Sequence, residues 1–304
     1  MVKAVVFAYH NIGVNALKIL LKHQVEVSLV LTHENNPKEY IWFNSVKELA
    51  EEKGLPVITP ENPNSPEVIK QIKQAKPDFI FSFYYRHMLG EKILQLAKKG
   101  AYNLHGSLLP KYRGRVPINW AIIHGETETG ATLHVMTEKP DQGAIVAQQK
   151  VSIGIDDTAK EVFDRVNDAA MTALDNILPS LLKGEAPHHK QHLKKGSYFG
   201  GRKPEDGLID WGQNSVAIHN LVRALAPPYP GAFTYVNGQK LNLLRTSLSH
   251  TNDAIAKTVG ADGKALYILA LELDGQPLDA EEFKKRFPQG VRPDSNPIQT
   301  DKSS

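Results

Sequence analysis

Residues 3–31 read KAVVFAYHNIGVNALKILLKHQVEVSLVL, in which two apolar runs are separated by a segment of different periodicity. The runs at 3–8 and 25–31 are rich in valine and leucine, which is typical of strands buried on both faces of a sheet. Between them, Leu17 and Leu21 recur with the spacing of one helical face. We therefore predict a strand-helix-strand unit with parallel strands, the starting element of an open α/β sheet.

The alternation of strand and helix patterns continues along the first half of the chain. Strands are predicted at 56–59, 78–84 and 101–105, and helices at 43–52, 66–73, 91–98 and 118–124. Two more strands, at 131–137 and 145–151, flank the turn sequence KPDQG, so we predict an antiparallel pair at the sheet edge. A long helix at 159–182 completes a predicted α/β domain over residues 1–187, with a mostly parallel sheet.

The second half of the chain has a different pattern. Residues 188–204 are polar and lack periodicity, which predicts an interdomain linker. Residues 205–287 contain short strand patterns, a helix at 215–224 and an Asn-Gly hairpin turn at 237–238, so we predict a small β-rich, barrel-like domain. Residues 288–304 are predicted to form a polar tail.

Three histidines of the predicted linker, His188, His189 and His192, raise the question of a metal site. No carboxylate accompanies them at ligand spacing, and a solvated linker explains them without a metal. The chain has no cysteine, which excludes disulfides, thiolate metal sites, iron-sulfur clusters and cysteine nucleophiles. We expect no metal, and any catalysis must use other groups.

Composition limits the classes of protein to consider. The 304 residues are 41% hydrophobic and 23% charged, as in ordinary globular proteins. No run approaches the roughly 18 apolar residues of a membrane span, and residues 1–7 are typical of a first strand rather than of a signal peptide, so we expect a cytoplasmic protein with no membrane partner. The formal net charge of +3 is too small to indicate nucleic-acid binding.

The turn after the first predicted strand reads AYHNIG and covers residues 8–13. A dinucleotide fingerprint needs three glycines at fixed spacing there, and this turn has one, which argues against an NAD-dependent oxidoreductase. The end of the first strand in such a sheet still favours ligand binding. Tyr9, His10 and Asn11 are therefore candidate contacts for a substrate.

The stretch YNLHGSLLPKYRG, residues 102–114, contains the candidate catalytic groups. Asn103 and His105 lie two apart on a predicted strand, so their side chains leave the same face at its carboxyl end. Acyl transfer needs a donor for the developing oxyanion and a group that moves a proton at neutral pH, and this pair supplies both. Asp141 is a candidate to orient the imidazole and raise its pKa. A structural role for the pair stays an open alternative.

These motifs resemble one enzyme family. The HGSLLP and RG motifs after the strand, the Asn-x-His pair and the KPDQG turn closely resemble the folate-dependent formyltransferases, and the likeness covers nearly the whole chain. It implies a Rossmann-like catalytic domain followed by a smaller barrel, and formyl transfer from 10-formyltetrahydrofolate to an amine. It also implies that Asn103 stabilises the oxyanion, that His105 shuttles the proton and that Asp141 keeps the pKa of His105 high.

The resemblance further implies which residues bind the folate co-substrate. In the family, backbone groups after the fourth strand and before the catalytic aspartate hold the pteridine, and an arginine after the catalytic loop contacts it. The matching positions in this chain are His87, Met88, Leu89, Arg115, Thr137, Glu138, Lys139, Pro140 and Asp141.

Three other stretches bear on the acceptor. FAYH at 7–10, THENNP at 32–37 and FSFYYRH at 81–87 look most like the formyltransferase part of the bifunctional enzyme that modifies UDP-4-amino-4-deoxy-L-arabinose for lipid A of lipopolysaccharide. The resemblance implies a nucleotide-linked amino sugar as acceptor, with UDP-4-amino-4-deoxy-L-arabinose as the first candidate. That enzyme carries a second half which has no counterpart here, so we expect a stand-alone formyltransferase or an excised domain.

Two alternatives for the function stay open. A methionyl-tRNA formyltransferase shares the motifs but usually carries a basic insertion before the helix near Trp42 and a basic second domain. Here YIWF occupies residues 40–43, and residues 205–304 contain ten basic and twelve acidic residues, which argues against a tRNA partner. The other alternative is a non-catalytic module that binds folate or a nucleotide. The sequence also leaves open whether the chain forms a homo-oligomer.

Overall fold

The computed structural model describes residues 1–36 and 41–291. Two compact units are present. The first comprises Met1–Pro117, Glu128–Ser152 and Phe163–Gly200, and the second comprises Ile118–Thr127, Ile153–Val162 and the described residues from Gly201 onward. Positions 37–40, which include parts of the THENNP and YIWF stretches, and positions 292–304 of the predicted tail lie outside the described residues. No helix among the described residues is long and apolar enough to cross a membrane.

The strands and the helices are each numbered in chain order. The strands are β1 Lys3–Ala8, β2 Glu26–Leu31, β3 Val57–Ile58, β4 Phe79–Phe83, β5 Gly100–His105, β6 Arg113–Gly114, β7 Glu128–Val135, β8 Ile145–Ser152, β9 Tyr198–Phe199, β10 Ala232–Val236, β11 Gln239–Ser247, β12 Ala256–Val259, β13 Ala265–Leu273 and β14 Gln276–Pro277. The helices are α1 His10–Lys22, α2 Val46–Glu52, α3 Pro66–Ala75, α4 Glu91–Leu94, α5 Pro117–Ile123, α6 Ala159–Lys183, α7 Ser215–Leu225 and α8 Ala280–Arg286.

The first unit is built on a seven-stranded sheet with the order β3-β2-β1-β4-β5-β7-β8. β1 pairs in parallel with β2 and β4, and β4 pairs in parallel with β5. β7 runs antiparallel to both β5 and β8, so the predicted antiparallel pair at the sheet edge is confirmed. The predicted α/β domain with a mostly parallel sheet is therefore confirmed as well.

The central strands are apolar on both faces because both faces of the sheet are covered. Phe7, Leu31 and Ile80 have no exposed surface, and they pack in one cluster with Val68 and Ile72 of α3. Burial of such side chains contributes about 1.5–3 kcal/mol each, relative to leaving them exposed. This packing fixes the central strands, whose ends lead into the candidate site.

Two helices of the first unit are shorter than their sequence patterns predict. The helix predicted at 43–52 begins at Val46, because the Ser45 hydroxyl accepts a hydrogen bond of 3.2 Å from a backbone N–H of the first turn and caps the helix there. The helix predicted at 91–98 ends at Leu94, and the chain then turns back toward the sheet to begin β5. Both differences concern the ends of elements, where side-chain capping competes with helical periodicity.

The second unit contains an antiparallel sheet in which β10, β11, β13 and β12 are neighbours in that order and β14 pairs with β13. Asn237 and Gly238 connect β10 to β11 with φ angles of 53° and 74°, as a tight two-residue turn requires. The predicted hairpin and the β-rich second domain are therefore confirmed. α7 packs its apolar face, including Ile218 and Val222, into the core of this unit.

Candidate active site

Asn103 and His105 lie on β5, next to the antiparallel strand β7. They are two residues apart, so their side chains leave the same face of the sheet, as predicted from the spacing. His105 is buried, with 7% of its surface exposed, while Asn103 is partly exposed. The strand therefore places an amide donor near solvent and a sequestered imidazole beside it.

The two nitrogens of the His105 imidazole face different groups. Nε2 lies 2.8 Å from the carbonyl oxygen of Tyr112, which can only accept a hydrogen bond, so Nε2 carries a proton and donates it. In the neutral ring Nδ1 is then unprotonated. It faces Oδ1 of Asp141 at 3.7 Å. The hydrogen bond to Tyr112 thus selects the tautomer whose free nitrogen is available as a base.

Asp141 lies in the KPDQG turn that connects β7 to β8. Its φ angle is 56°, a left-handed conformation that aspartate tolerates better than most residues. Two residues later, a Cβ on Gly143 would overlap the carbonyl oxygen of Val135, so only glycine fits. Oδ2 of Asp141 accepts a hydrogen bond of 2.8 Å from the backbone N–H of Gly114. The turn therefore presents the carboxylate to the site in a fixed orientation.

His134 of β7 joins the three predicted groups, although the sequence analysis did not single it out. It is 2% exposed, and its Nδ1 donates to the carbonyl of Val135 at 2.9 Å. Its Nε2 lies 3.1 Å from Nδ2 of Asn103 and 3.4 Å from Oδ1 of Asp141. A neutral His134 accepts there from the amide, and a protonated one donates to the carboxylate. His134 therefore bonds to Asn103 when it is neutral and to Asp141 when it is protonated, and not to both at once.

The ionisation of the site follows from burial and from the groups just described. Burial lowers the pKa of His105, and the Asp141 carboxylate and the Tyr112 carbonyl oppose that shift without reversing it. Burial alone would raise the pKa of the Asp141 carboxyl, but His105, His134 and the Gly114 N–H together hold it well below its usual range. At neutral pH the site therefore contains a carboxylate beside a neutral imidazole.

The loop that follows β5 is held by buried hydroxyl groups. Thr132 Oγ1 donates to the carbonyl of Ser107 at 2.6 Å and accepts from the backbone N–H of Leu109 at 3.2 Å. Ser107 Oγ donates to the carbonyl of Lys111 at 2.7 Å. Because these bonds connect the loop to β7 and to itself, the Tyr112 carbonyl has a defined position opposite His105.

The residues predicted to contact folate lie in three segments of the first unit. His87 and Met88 are exposed after β4, whereas Leu89 is buried, and the Asn64 amide donates to the Met88 carbonyl at 2.9 Å. Arg115 is exposed just after β6. The third segment precedes the Asp141 carboxylate in the turn after β7; its side chains Thr137, Glu138 and Lys139 are exposed and Pro140 is partly buried.

The candidate substrate contacts Tyr9, His10 and Asn11 lie at the junction of β1 and α1. His10 is 4% exposed and has a φ of 64°, and its ring centroid lies 4.0 Å from that of Phe43 and 4.5 Å from that of Trp42. Tyr9 is also largely buried, and its hydroxyl donates to Oδ1 of an asparagine in the segment after β2. Asn11 Oδ1 accepts from the backbone N–H of Asn44 at 2.9 Å.

More aromatic groups lie beside Tyr9. The Arg86 guanidinium lies over the Tyr9 ring, 4.8 Å from its centroid. His33 stacks on Tyr85 and on His87, with centroid distances of 4.1 Å and 5.0 Å. Burial and the neighbouring cations lower the pKa of His33 to about 4, so this ring is neutral at pH 7. The ends of β1, β2 and β4 thus carry a group of aromatic and imidazole rings with the Arg86 guanidinium beside them.

Comparison with known proteins places this arrangement in a family. The formyl transferase model matches residues 4–178, and the model of the formyl transferase C-terminal domain matches residues 202–288. The first match includes Asn103, His105, His134 and Asp141.

Solved structures with the same fold include three enzymes. The N-formyltransferase from Helicobacter canadensis, solved with folinic acid and dTDP-3-aminofucose, is 22% identical, with 91% of this chain and 100% of that chain covered and a TM-score of 0.67. A sugar N-formyltransferase from a Shewanella species is 21% identical, with 82% of this chain and 100% of that chain covered and a TM-score of 0.66. The methionyl-tRNA formyltransferase from Clostridium thermocellum is 18% identical, with 90% of this chain and 99% of that chain covered and a TM-score of 0.58. Since the family model covers more than half of the chain, this protein belongs to the formyl transferase family and is a formyl-transferring enzyme.

Proposed function

We propose that this enzyme transfers the formyl group of 10-formyltetrahydrofolate to the amine of a nucleotide-linked amino sugar. The proposal rests chiefly on the neutral His105 imidazole, whose free Nδ1 faces the Asp141 carboxylate while Nε2 is fixed by the Tyr112 carbonyl. Such an arrangement suits the removal of a proton from an amine at neutral pH. Asn103 supplies the amide donor on the same strand face.

The chemistry can be written with these groups in defined roles. The amine nitrogen attacks the formyl carbon, and the oxygen that becomes negatively charged accepts a hydrogen bond from the Asn103 amide. Nδ1 of His105 takes the proton that the amine nitrogen must lose, and the Asp141 carboxylate stabilises the resulting imidazolium. The carbon-nitrogen bond to N10 of the folate then breaks, and the proton passes to that nitrogen. The products are a formamide and tetrahydrofolate.

Folate binding is assigned to the segments around His87, Met88 and Leu89 and around residues 137–141. Exposed residues in two loops of one unit suit a flat ring with several hydrogen-bonding groups, and the exposed Arg115 suits a carboxylate. The Helicobacter canadensis structure contains folinic acid, a formylated folate, which supports this choice of co-substrate.

A nucleotide-linked amino sugar is the proposed acceptor for two reasons. The partly exposed rings of His33 and Tyr85, at the ends of β2 and β4, suit stacking of a base, and the exposed Arg86 beside them suits pairing with a phosphate. The Helicobacter canadensis relative was solved with a dTDP-linked amino sugar, which supports an acceptor of this class. We propose UDP-4-amino-4-deoxy-L-arabinose as the first candidate because of the resemblance in the FAYH, THENNP and FSFYYRH stretches.

The decisive experiment follows the release of tetrahydrofolate by the purified protein. Every reaction contains the protein, 10-formyltetrahydrofolate and one candidate acceptor. The acceptors are UDP-4-amino-4-deoxy-L-arabinose, a panel of UDP- and dTDP-linked 3-amino and 4-amino sugars, and initiator methionyl-tRNA. Turnover with an amino sugar and none with tRNA is expected, with loss of about 10²- to 10⁴-fold in rate for His105→Ala. Turnover with tRNA alone would replace the proposed acceptor, and no turnover with any amine would overturn the proposal.

A further inference from the structure

Residues 189–199, which lie within the segment predicted as a linker, run along the candidate site of the first unit; we call this segment the strap. Its first residue, His189, exchanges two backbone hydrogen bonds of 2.8 Å with Ile145 at the start of β8. Its last two residues form β9, which pairs in parallel with β6. The strap is therefore attached at both ends to the elements that flank the catalytic turn and loop.

Near its start, the strap holds the turn that carries Asp141. The side-chain amide of Gln191 donates to the carbonyl of Asp141 at 2.9 Å and to the carbonyl of Gly143 at 2.7 Å. Gln191 is 7% exposed; its bond to the Gly143 carbonyl is buried and its bond to the Asp141 carbonyl is partly buried. Removal of the donor to a buried carbonyl is costly in a protein interior. One side chain of the strap thus holds the backbone carbonyls of Asp141 and Gly143 in the catalytic turn.

Near its end, the strap holds the loop that carries the Tyr112 carbonyl. The backbone N–H of Tyr112 donates to Ser197 Oγ at 2.9 Å, and the backbone N–H of Ser197 donates to the carbonyl of Pro110 at 3.2 Å. Tyr112 has a φ of 55°, a conformation that needs support from its surroundings. A Cβ on Gly196 would overlap the Pro110 carbonyl oxygen, so the two backbones approach as closely as glycine permits.

Both contacts converge on one imidazole. Asp141, fixed through Gln191, faces Nδ1 of His105, and the carbonyl of Tyr112, fixed through Ser197, accepts from Nε2. Each nitrogen of the catalytic base therefore has a partner whose backbone is held by the strap. We propose that Gln191 and Ser197 are positioning residues which together set the tautomer and the charge stabilisation of His105; this inference rests on the proposed role of His105 as the base.

The test uses Gln191→Met, which keeps the length of the side chain and removes both donors. We expect kcat to fall about 10- to 100-fold with KM changed less than about threefold, because two hydrogen bonds that orient the carboxylate are lost. The side chain of His105 should also titrate at lower pH in an NMR experiment, since the stabilising carboxylate is less well placed. In an Asp141→Asn background, Gln191→Met should add less than about threefold, because its effect passes through Asp141.

Ser197→Ala supplies an independent test at a partly exposed position. Loss of the acceptor for the Tyr112 N–H should loosen the Tyr112 carbonyl, and the ¹⁵N shifts of His105 should move toward the tautomer protonated at Nδ1. Val166→Ala, at a fully buried position on α6, is the control for a general loss of stability. It should lower Tm while leaving the titration and tautomer of His105 unchanged.

The NMR readouts need no turnover, so they separate this inference from the proposed function. If the wild type formylates no amine but Gln191→Met still lowers the titration midpoint of His105, the strap has the assigned role and the proposed function fails. If the wild type is active and both strap variants leave kcat, the titration and the tautomer of His105 as in the wild type, the inference is overturned. Additive losses for Gln191→Met and Asp141→Asn would overturn it too.

Discussion

Replacing Asp141 by asparagine tests the charge arrangement of the site directly. The change removes the negative charge but keeps an oxygen that can accept from the Gly114 N–H. In the transition state His105 gains a proton at Nδ1, which lies 3.7 Å from Oδ1 of Asp141. At that separation and an effective dielectric constant of about 20, the attraction between unit charges is about 4 kcal/mol.

Each loss of about 1.4 kcal/mol of transition-state stabilisation lowers the rate tenfold. Loss of the attraction between Asp141 and the His105 imidazolium therefore lowers the rate by at most about 10³-fold. Because the asparagine dipole retains part of the interaction, we expect kcat/KM to fall about 10²- to 10³-fold. The direction of the pH effect also follows from the site. Asp141 opposes the effect of burial on His105, so its loss lowers the pKa of His105 further, and the acidic limb of the rate profile should move to lower pH.

The measurement is kcat/KM for formyl transfer between about pH 5 and 9, for the wild type, Asp141→Asn and the control Asp168→Asn. Asp168 is exposed on α6, so its replacement should leave rate and profile unchanged. A rate for Asp141→Asn within a few-fold of the wild type, or an acidic limb that stays in place or moves to higher pH, would refute the role assigned to the carboxylate.

Three other predictions concern the oxyanion donor, the catalytic turn and a helix cap. Asn103→Ala should lower kcat about 10²- to 10³-fold in the formyl transfer assay, with Tm close to that of the wild type, and a kcat within threefold would contradict its role. Gly143→Ala should lower both Tm and kcat, because its Cβ would overlap the Val135 carbonyl oxygen, whereas Gly200→Ala, with no atom within 4 Å of the added Cβ, should change neither. Ser45→Ala should cost about 1 kcal/mol of stability and lower Tm by about 2–4 °C, while Ser45→Asp should restore the cap; equal Tm values for all three would contradict the capping argument.

The sequence predicts the sheet of the first unit well because its strands carry long apolar runs that depend little on context. The FIFSF strand, β4, has no other way to bury its side chains than between two layers of helices. The period-two spacing of Asn103 and His105 likewise places both on one face before any tertiary contact is known. Element ends are less predictable, since the Ser45 cap decides the start of α2 against a longer helical pattern.

The rest of the candidate site depends on contacts between segments far apart in sequence. His134 lies opposite Asn103 only because β7 pairs with β5 in one particular register, and a shift of one residue would turn it to the other face. Pairing of the two predicted strands, 101–105 and 131–137, in that register is the signal that brings His134 beside Asn103. Gln191 offers no such signal, because a single polar residue in a segment without periodicity is typical of a solvated linker.

The strap also has a consequence for the order in which the chain is synthesised. Tyr112 and its partner Ser197 are 85 residues apart, and Asp141 and Gln191 are 50 apart, so the ribosome completes β5, β7 and the long helix α6 before either contact can form. The nascent sheet can collapse on its apolar strands while His105 still lacks fixed partners on both nitrogens. A fragment that ends at residue 187 would therefore contain the strands of the seven-stranded sheet and the catalytic side chains but lack the segment that aligns them.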